Sequence, residues 1–287
     1  NNITYDELGN IRTLTRDGNA YGYSYVMNVT VESSRLRSVS GLTTGDYQYD
    51  INGNMTNDAR NGTTLQYNLL NLPTSVTKTG VNLNYVYDAG GQKIRKVSNV
   101  TGTTDYIGGI VYNSISNVYR IDYIQTEEGR AVNNNDGTYR YQYDLKDQLG
   151  NVRLTLQKNS TTGKADRVQS DNYYAFGLRK SISPIPSSPN KYLYNGKELQ
   201  EETGDYDYGA RHYAPLIARW VVVDPLAEKY MLVSPYVYAA NNPISFVDKN
   251  GKEITENKDA YNFSGADAIG AFNYLFGKAE NAYLDIE

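Results

Sequence analysis

A short phrase keeps returning along this chain. Tyr5-Asp6-Glu7-Leu8-Gly9-Asn10 comes back as Tyr49-Asp50-Ile51-Asn52-Gly53-Asn54. Tyr87-Asp88-Ala89-Gly90-Gly91-Gln92 is a degenerate copy, and Asp147-Gln148-Leu149-Gly150-Asn151 repeats the acidic half behind Tyr143-Asp144. Tyr67-Asn68 is a weaker echo, 18 residues after Tyr49 and 20 before Tyr87. Each copy closes one alternating strand and opens another, such as Ile11-Arg12-Thr13-Leu14 or Val152-Arg153-Leu154-Thr155. Asp accepts backbone N–H groups in a turn, and Gly supplies the positive φ that a tight turn requires. Strand, turn and strand at such short intervals predict a β-hairpin array. One hairpin cannot bury a face alone, so neighbours must pair side by side.

Composition agrees with strands. Tyrosine occurs 29 times, against five Phe and one Trp. A tyrosine ring favours strands, while its hydroxyl reaches water or backbone. The 287 residues suit one large β domain or two smaller units. No apolar run approaches the ~20 residues of a membrane-spanning helix; the nearest is Trp220–Val223. The opening Asn1-Asn2, in place of Met, reads as a piece of a longer, processed protein. A net charge of -4 argues against an electrostatic nucleic-acid binder. Without cysteine, disulfides, thiolate zinc sites and cysteine nucleophiles are excluded. His212 is the only histidine, so a multi-histidine metal site is excluded too. Neither a cofactor nor a metal is expected.

Ser181-Ile182-Ser183-Pro184-Ile185-Pro186-Ser187-Ser188-Pro189 breaks the array and reads as an extended loop. It marks the best internal boundary. Beyond it, Lys191–Gly196 resumes strand and turn, and Pro225–Tyr230 reads as a short helical turn begun by proline. From Gly265 to Tyr283 the text becomes Ala-rich, with Ile269, Phe272, Leu275 and Phe276 at helical spacing.

The repeated Tyr-Asp-x-x-Gly-Asn and a denser block behind it resemble the YD-repeat (Rhs) proteins. The block runs through Lys191-Tyr192-Leu193-Tyr194-Asn195-Gly196-Lys197-Glu198 and Tyr206-Asp207-Tyr208-Gly209-Ala210-Arg211-His212-Tyr213. Arg219-Trp220, Asp224–Lys229, Ser234-Pro235-Tyr236, Asn241-Asn242-Pro243-Ile244 and Asp248 complete it. It is similar to the Rhs-associated core domain of bacterial polymorphic toxins and Tc toxin C components. The resemblance implies an all-β fold: a YD-repeat hairpin ribbon forming part of a hollow shell, a C-terminal core plug and a short, partly helical tail. It divides the chain into shell (1–190), core (191–252) and the start of a variable effector segment (253–287). The core would cut the chain behind itself and leave the effector enclosed but covalently free.

The family's cleavage is described in aspartyl-protease terms, with two carboxylates and an arginine. When two carboxyls share a site, one pKa rises and that group can act as the acid. The resemblance maps the arginine to Arg211 and the two aspartates to Asp224 and Asp248. Arg211 would orient one carboxylate or steady the oxyanion. The cut would fall after Lys252, before Glu253, making the chain a single-turnover self-cleaving protease. Spacing alone leaves plainer readings open: Arg211 as an ion-pair partner, Asp224 as an N-cap, Asp248 as a turn residue. His212, alternating with Arg211 and Tyr213 on a strand, is expected to point away from both in a structural role.

The chain also departs from the family pattern. Ala214 stands where Asp is usual, Ala218 where Gly is usual, Lys249 for Pro and Lys252 for a hydrophobic residue. The first two are expected to alter turn geometry, and the last two bear on cleavage efficiency. Asn-x-Ser/Thr triplets such as Asn28-Val29-Thr30 are expected by chance in an Asn-rich chain. The implied partners are the chain's own C-terminal effector segment, secretion machinery and an immunity protein, in a secreted or cell-surface bacterial setting. The tyrosine excess motivates a non-enzymatic alternative, a β-repeat scaffold for adhesion or glycan binding. A cleavage-inactive core is a third reading.

Overall fold

The aspartate of each repeat writes its own turn. Asp6 Oδ1 accepts the amides of Leu8 (3.0 Å) and Asn10 (2.8 Å), and Asp6 Oδ2 accepts the Asn10 side-chain amide at 3.0 Å. Asp147 repeats this with Leu149, Asn151 and the Asn151 side chain at 2.9–3.0 Å. Asp50 binds the Asn54 amide and side chain at 2.9 and 2.8 Å. Asp88 accepts Gly90 and Gln92 amides, both at 2.9 Å. Asn68 substitutes its amide oxygen, accepting from Leu70 and Leu72 at 2.9 and 3.0 Å. Asp and Asn can replace backbone acceptors locally, which is why they stop one strand and start the next.

A tyrosine from a later strand then ties down the residue just past the turn. The hydroxyls of Tyr25, Tyr67, Tyr87 and Tyr173 donate to the carbonyls of Ile11, Met55, Pro73 and Val152 at 2.7–2.9 Å. The buried hydroxyl is thereby satisfied while its ring packs between strands.

In this computed structural model, residues 2–115, 118–181, 189–230 and 233–256 are described. Most of the Pro/Ser loop and the helical pattern around Ile269 and Phe272 lie outside the described residues. The fold is all-β and antiparallel. Strands Ile3–Tyr5, Ile11–Arg16, Asn19–Asn28 and Val31–Val39 form a four-stranded sheet. Fourteen strands, from Gln48–Tyr49 to Arg179–Ser181, form one long sheet in which sequence neighbours pair throughout. Glu198–Gln200, Asp205–Asp207, His212–Ala214 and Arg219–Trp220 make a third sheet, and Phe246–Asp248 pairs with Ile254–Glu256. Ala227–Tyr230 is a 3-10 turn, as Pro225 suggested.

The third sheet packs around an aromatic cluster of Tyr194, Tyr208, Tyr213, Trp220 and Tyr238. Tyr213 stacks on Tyr238 at 4.1 Å, and Trp220 meets Tyr208 edge-on at 5.1 Å. Ile11, Leu14, Tyr25 and Leu36 of the first sheet share this core. Arg16 donates to the carbonyls of Leu216 (2.6 Å) and Pro215 (3.1 Å), and Arg219 to that of Ser34 (2.6 Å).

The C-terminal block seats on the repeat turns themselves. Asn241 donates to the Gly9 carbonyl, Tyr236 to that of Gly53 and Asn195 to that of Leu149, all at 2.7–2.8 Å. Gly53 serves twice here. Its φ is +83°, and a Cβ there would lie 2.7 Å from the Tyr236 hydroxyl and from Val223 Cγ2. The repeat glycine therefore permits both the turn and the close approach.

A seam of buried ion pairs joins the block to the long sheet. Its cations come from the sheet and its anions from the hairpin Glu198–Asp207. Lys93 Nζ lies 2.6 Å from Glu198 and from Asp207, Lys96 Nζ 2.6 Å from Glu202, and Arg60 Nη2 2.9 Å from Asp205. Burial pushes Asp205 up to about 6 against the pull of Arg60. Burial also opposes ionisation of Asp207, but Lys93 and His212 win and hold it at about 2. Removing one partner of such a pair leaves the other charge buried and uncompensated.

Candidate functional site

Arg211 follows the turn at Gly209 and immediately precedes strand His212–Ala214. Its guanidinium carbon is buried over the Trp220 ring, 4.0 Å from the centroid. Nη2 lies 3.0 Å from Asp224 Oδ2 and 3.1 Å from Asp248 Oδ2. Nε donates to the Gly251 carbonyl at 2.6 Å. Nη1 is buried with no hydrogen-bond partner among the described residues. Three residues separated by 13 and 24 positions thus meet at one nitrogen. The two Oδ2 atoms are consequently held within about 6 Å of each other.

Both aspartates divide their oxygens the same way. Asp224 Oδ1 accepts the Leu226 amide at 2.8 Å ahead of the 3-10 turn, leaving Oδ2 for Arg211. Asp248 Oδ1 accepts the amides of Asn250 (3.1 Å), Gly251 (2.6 Å) and Lys252 (3.2 Å). The plain turn role and the arginine contact therefore coexist in each residue.

Asp248 is a variant of the repeat turn, with an added bond from the Gly251 amide to Oδ1 and no asparagine at the fourth position. The repeat aspartates accept amides two and four residues on, and Asp248 does the same. Where a repeat carries Asn at the fourth position and caps Oδ2, this turn has Lys252. Its Oδ2 is released to Arg211. Gly251, at φ +75°, brings the backbone under the arginine: a Cβ there would sit 2.9 Å from Arg211 N.

Asp248 is 0 % exposed, Arg211 1 % and Asp224 7 %. Burial raises the Asp248 pKa, while Arg211 and the three amides pull it down. Burial likewise lowers the Arg211 pKa against the pull of both carboxylates.

Lys252 and Glu253 are exposed on the loop of the hairpin Phe246–Asp248/Ile254–Glu256. Their amides donate to Asn250 Oδ1 at 3.0 and 3.2 Å. His212 is buried on the other side of its strand, edge-on to Tyr85 at 5.9 Å, with Nε2 3.9 Å from Asp207. Burial lowers its pKa. Ala218 adopts φ +54°, so the turn keeps a left-handed position without glycine. Ala214 is fully buried. Sequence reasoning passed over Asn250, Gly251 and Trp220 as members of this site. Asn250-Gly251 inside the Asp-x-x-Gly phrase was the available signal for the first two; nothing local marked Trp220.

No family model matches the chain. It is 26% identical over 265 residues to the tRNA3(Ser)-specific nuclease WapA of Bacillus spizizenii, covering 86% of this chain and 11% of that protein. It is 26% identical over 288 residues to Toxin subunit YenC1 of Yersinia entomophaga, covering 87% and 28% respectively. Among solved structures, a Photorhabdus luminescens Tc holotoxin pore matches 92% of the chain at a TM-score of 0.67 and 19% identity, over 13% of its own chain. A TcdB2-TccC3-Cdc42 structure matches 87% at 0.60 and 18%, over 15% of its own chain. Sequence and fold both resemble those of Rhs-type toxin components. The chain spans about a tenth of WapA and just over a quarter of YenC1. Among the described residues, no helix is long and apolar enough to cross a membrane.

Proposed function

We propose that this chain is part of the encapsulating shell and the self-cleaving core of a secreted Rhs-type toxin. Asp224, Asp248 and Arg211 would open the backbone in the 248–253 turn, near Lys252, and free the segment that follows. One observation carries this reading: two aspartates share a single buried guanidinium nitrogen that belongs to the same arginine as a donor to the Gly251 carbonyl. A water between the carboxylates would be activated on one side while the carbonyl is polarised on the other. Ile254–Glu256 pairs with Phe246–Asp248, so a cut in the loop leaves the released segment held by strand pairing.

The test is incubation of the purified chain followed by denaturing gel electrophoresis. A small C-terminal fragment separates only after denaturation in wild type and is absent in Asp224→Asn and Asp248→Asn. Identical bands in all three refute the catalytic assignment. The adhesion reading keeps one specific support, the exposed Tyr119 stacked on Tyr112 at 5.3 Å. Tyr23, Tyr25, Tyr206, Tyr208, Tyr213 and Tyr238, by contrast, are consumed in the core.

A further inference from the structure

We infer that the joint between the long sheet and the C-terminal block takes up a proton at Asp205 and grips more tightly in mild acid than at neutral pH. It does so whether or not the chain cuts itself. The observation is a second set of two aspartates on one arginine, apart from Arg211. Asp58 ends the strand Met55–Asp58, Arg60 follows in the turn, and Asp205 opens the strand Asp205–Asp207 of the block. The side chains of Arg60, Asp58 and Asp205 are 5 %, 3 % and 4 % exposed. Fully ionised, the cluster holds one negative charge in excess where water cannot solvate it.

The two carboxylates are not equivalent. Asp58 is chelated: its Oδ1 accepts the Arg60 amide at 3.0 Å and Nε at 2.8 Å, and its Oδ2 accepts Nε at 2.9 Å and Nη2. Asp205 meets Arg60 through Oδ1 and Nη2, at 2.9 Å. The proton therefore goes to Asp205. Burial and the repulsion of Asp58 raise its pKa to about 6 against the pull of Arg60. The other groups facing the cluster keep their charge in this range. Tyr47, Tyr67 and, toward Arg60, Tyr23 are phenols that burial pushes further up. Thr203 adds a neutral hydroxyl. In the adjoining turn Lys78 donates to the Glu202 carbonyl, and Lys96 Nζ lies 2.6 Å from the Glu202 carboxylate. Against burial, Lys96 holds the Glu202 pKa below its ordinary value.

The sign follows from linkage. A carboxyl raised above its unfolded value of about 3.9 adds stability as pH falls through the folded value. From pH 7.5 to 5.0 the gain is about tenfold in the folding equilibrium constant. Asp58 belongs to the sheet and Asp205 to the block, so neutralising one removes a repulsion across the joint itself.

The test is urea unfolding of the full chain and of Asp205→Asn at pH 7.5 and 5.0, with amide hydrogen exchange in the Glu198–Asp207 hairpin corrected for intrinsic rates. Asn keeps the shape of the side chain and cannot ionise. His212 and the other titrating groups are common to both chains, and the comparison subtracts them. Relative to Asp205→Asn, the wild-type unfolding constant should fall about tenfold between pH 7.5 and 5.0, with added protection of the hairpin amides. Equal pH dependence in the two chains overturns the proposal. Protection that rises evenly, without excess in the hairpin, overturns its placement at the joint. Carbon-13 NMR of the wild-type chain needs no variant: the Asp205 carboxyl should titrate near pH 6, and a midpoint below pH 5 overturns the proposal.

Discussion

Replacing Arg211 with Met tests the electrostatics of the site apart from any reaction. Met is apolar and shorter than Arg, can lay its thioether against Trp220, and removes both the charge and the Nε bond to the Gly251 carbonyl. What disappears is the only cation bonded to Asp224 Oδ2 and Asp248 Oδ2 in the described structure, at 3.0 and 3.1 Å. Breaking a buried ion pair from one side costs about 3–5 kcal/mol, because a charge is left buried without a partner. For a chain of this size that lowers Tm by roughly 6–15 °C. The penalty should depend on pH. Burial already raises the Asp248 pKa, and Arg211 is the main charge opposing it. Without Arg211 the pKa climbs further above its unfolded value of about 3.9. A carboxyl raised in this way costs stability above its folded pKa, and that cost fades as pH falls through it. The deficit relative to wild type is therefore larger at pH 8 than at pH 5. Trp220, the single tryptophan, reports the melt by fluorescence from directly beneath the guanidinium. An equal deficit at both pH values, or one below about 1 kcal/mol, refutes the picture of two buried carboxylates dependent on one arginine.

Lys252→Asn restores the repeat's cap on Asp248 Oδ2, which should compete with Arg211 and slow cleavage about tenfold while the fold survives; gel densitometry reads the rate. Ala218→Gly relieves a φ of +54° and should stabilise the chain by about 0.5–1 kcal/mol after the entropy of glycine is counted, measured as a higher urea midpoint. Asp207, held at about 2, contributes stability above its unfolded pKa that is lost as pH falls from about 4 toward 2. Asp207→Asn should flatten that acid slope by about 2 kcal/mol in melts across this range, whereas an unchanged slope would exclude Asp207 as its source.

Much of this architecture is legible before any coordinates, because the repeat turn is a local device. Asp6, Asp50 and Asp147 accept amides within four residues of themselves, and glycine meets the φ requirement in the same stretch. Alternation then sets which residues can face a core, and the motif order points to Arg211, Asp224 and Asp248. The tertiary structure decided matters that act across distance. Lys93 finds Asp207 114 positions away, and Arg60 finds Asp205 at 145, contacts that no local rule selects. It decided also that Asp224 Oδ2 and Asp248 Oδ2 would meet on one guanidinium nitrogen. Hydrogen bonding within a few residues is written in the chain, but the desolvation that makes Asp248 and Arg211 interdependent exists only once the tertiary fold has closed over them.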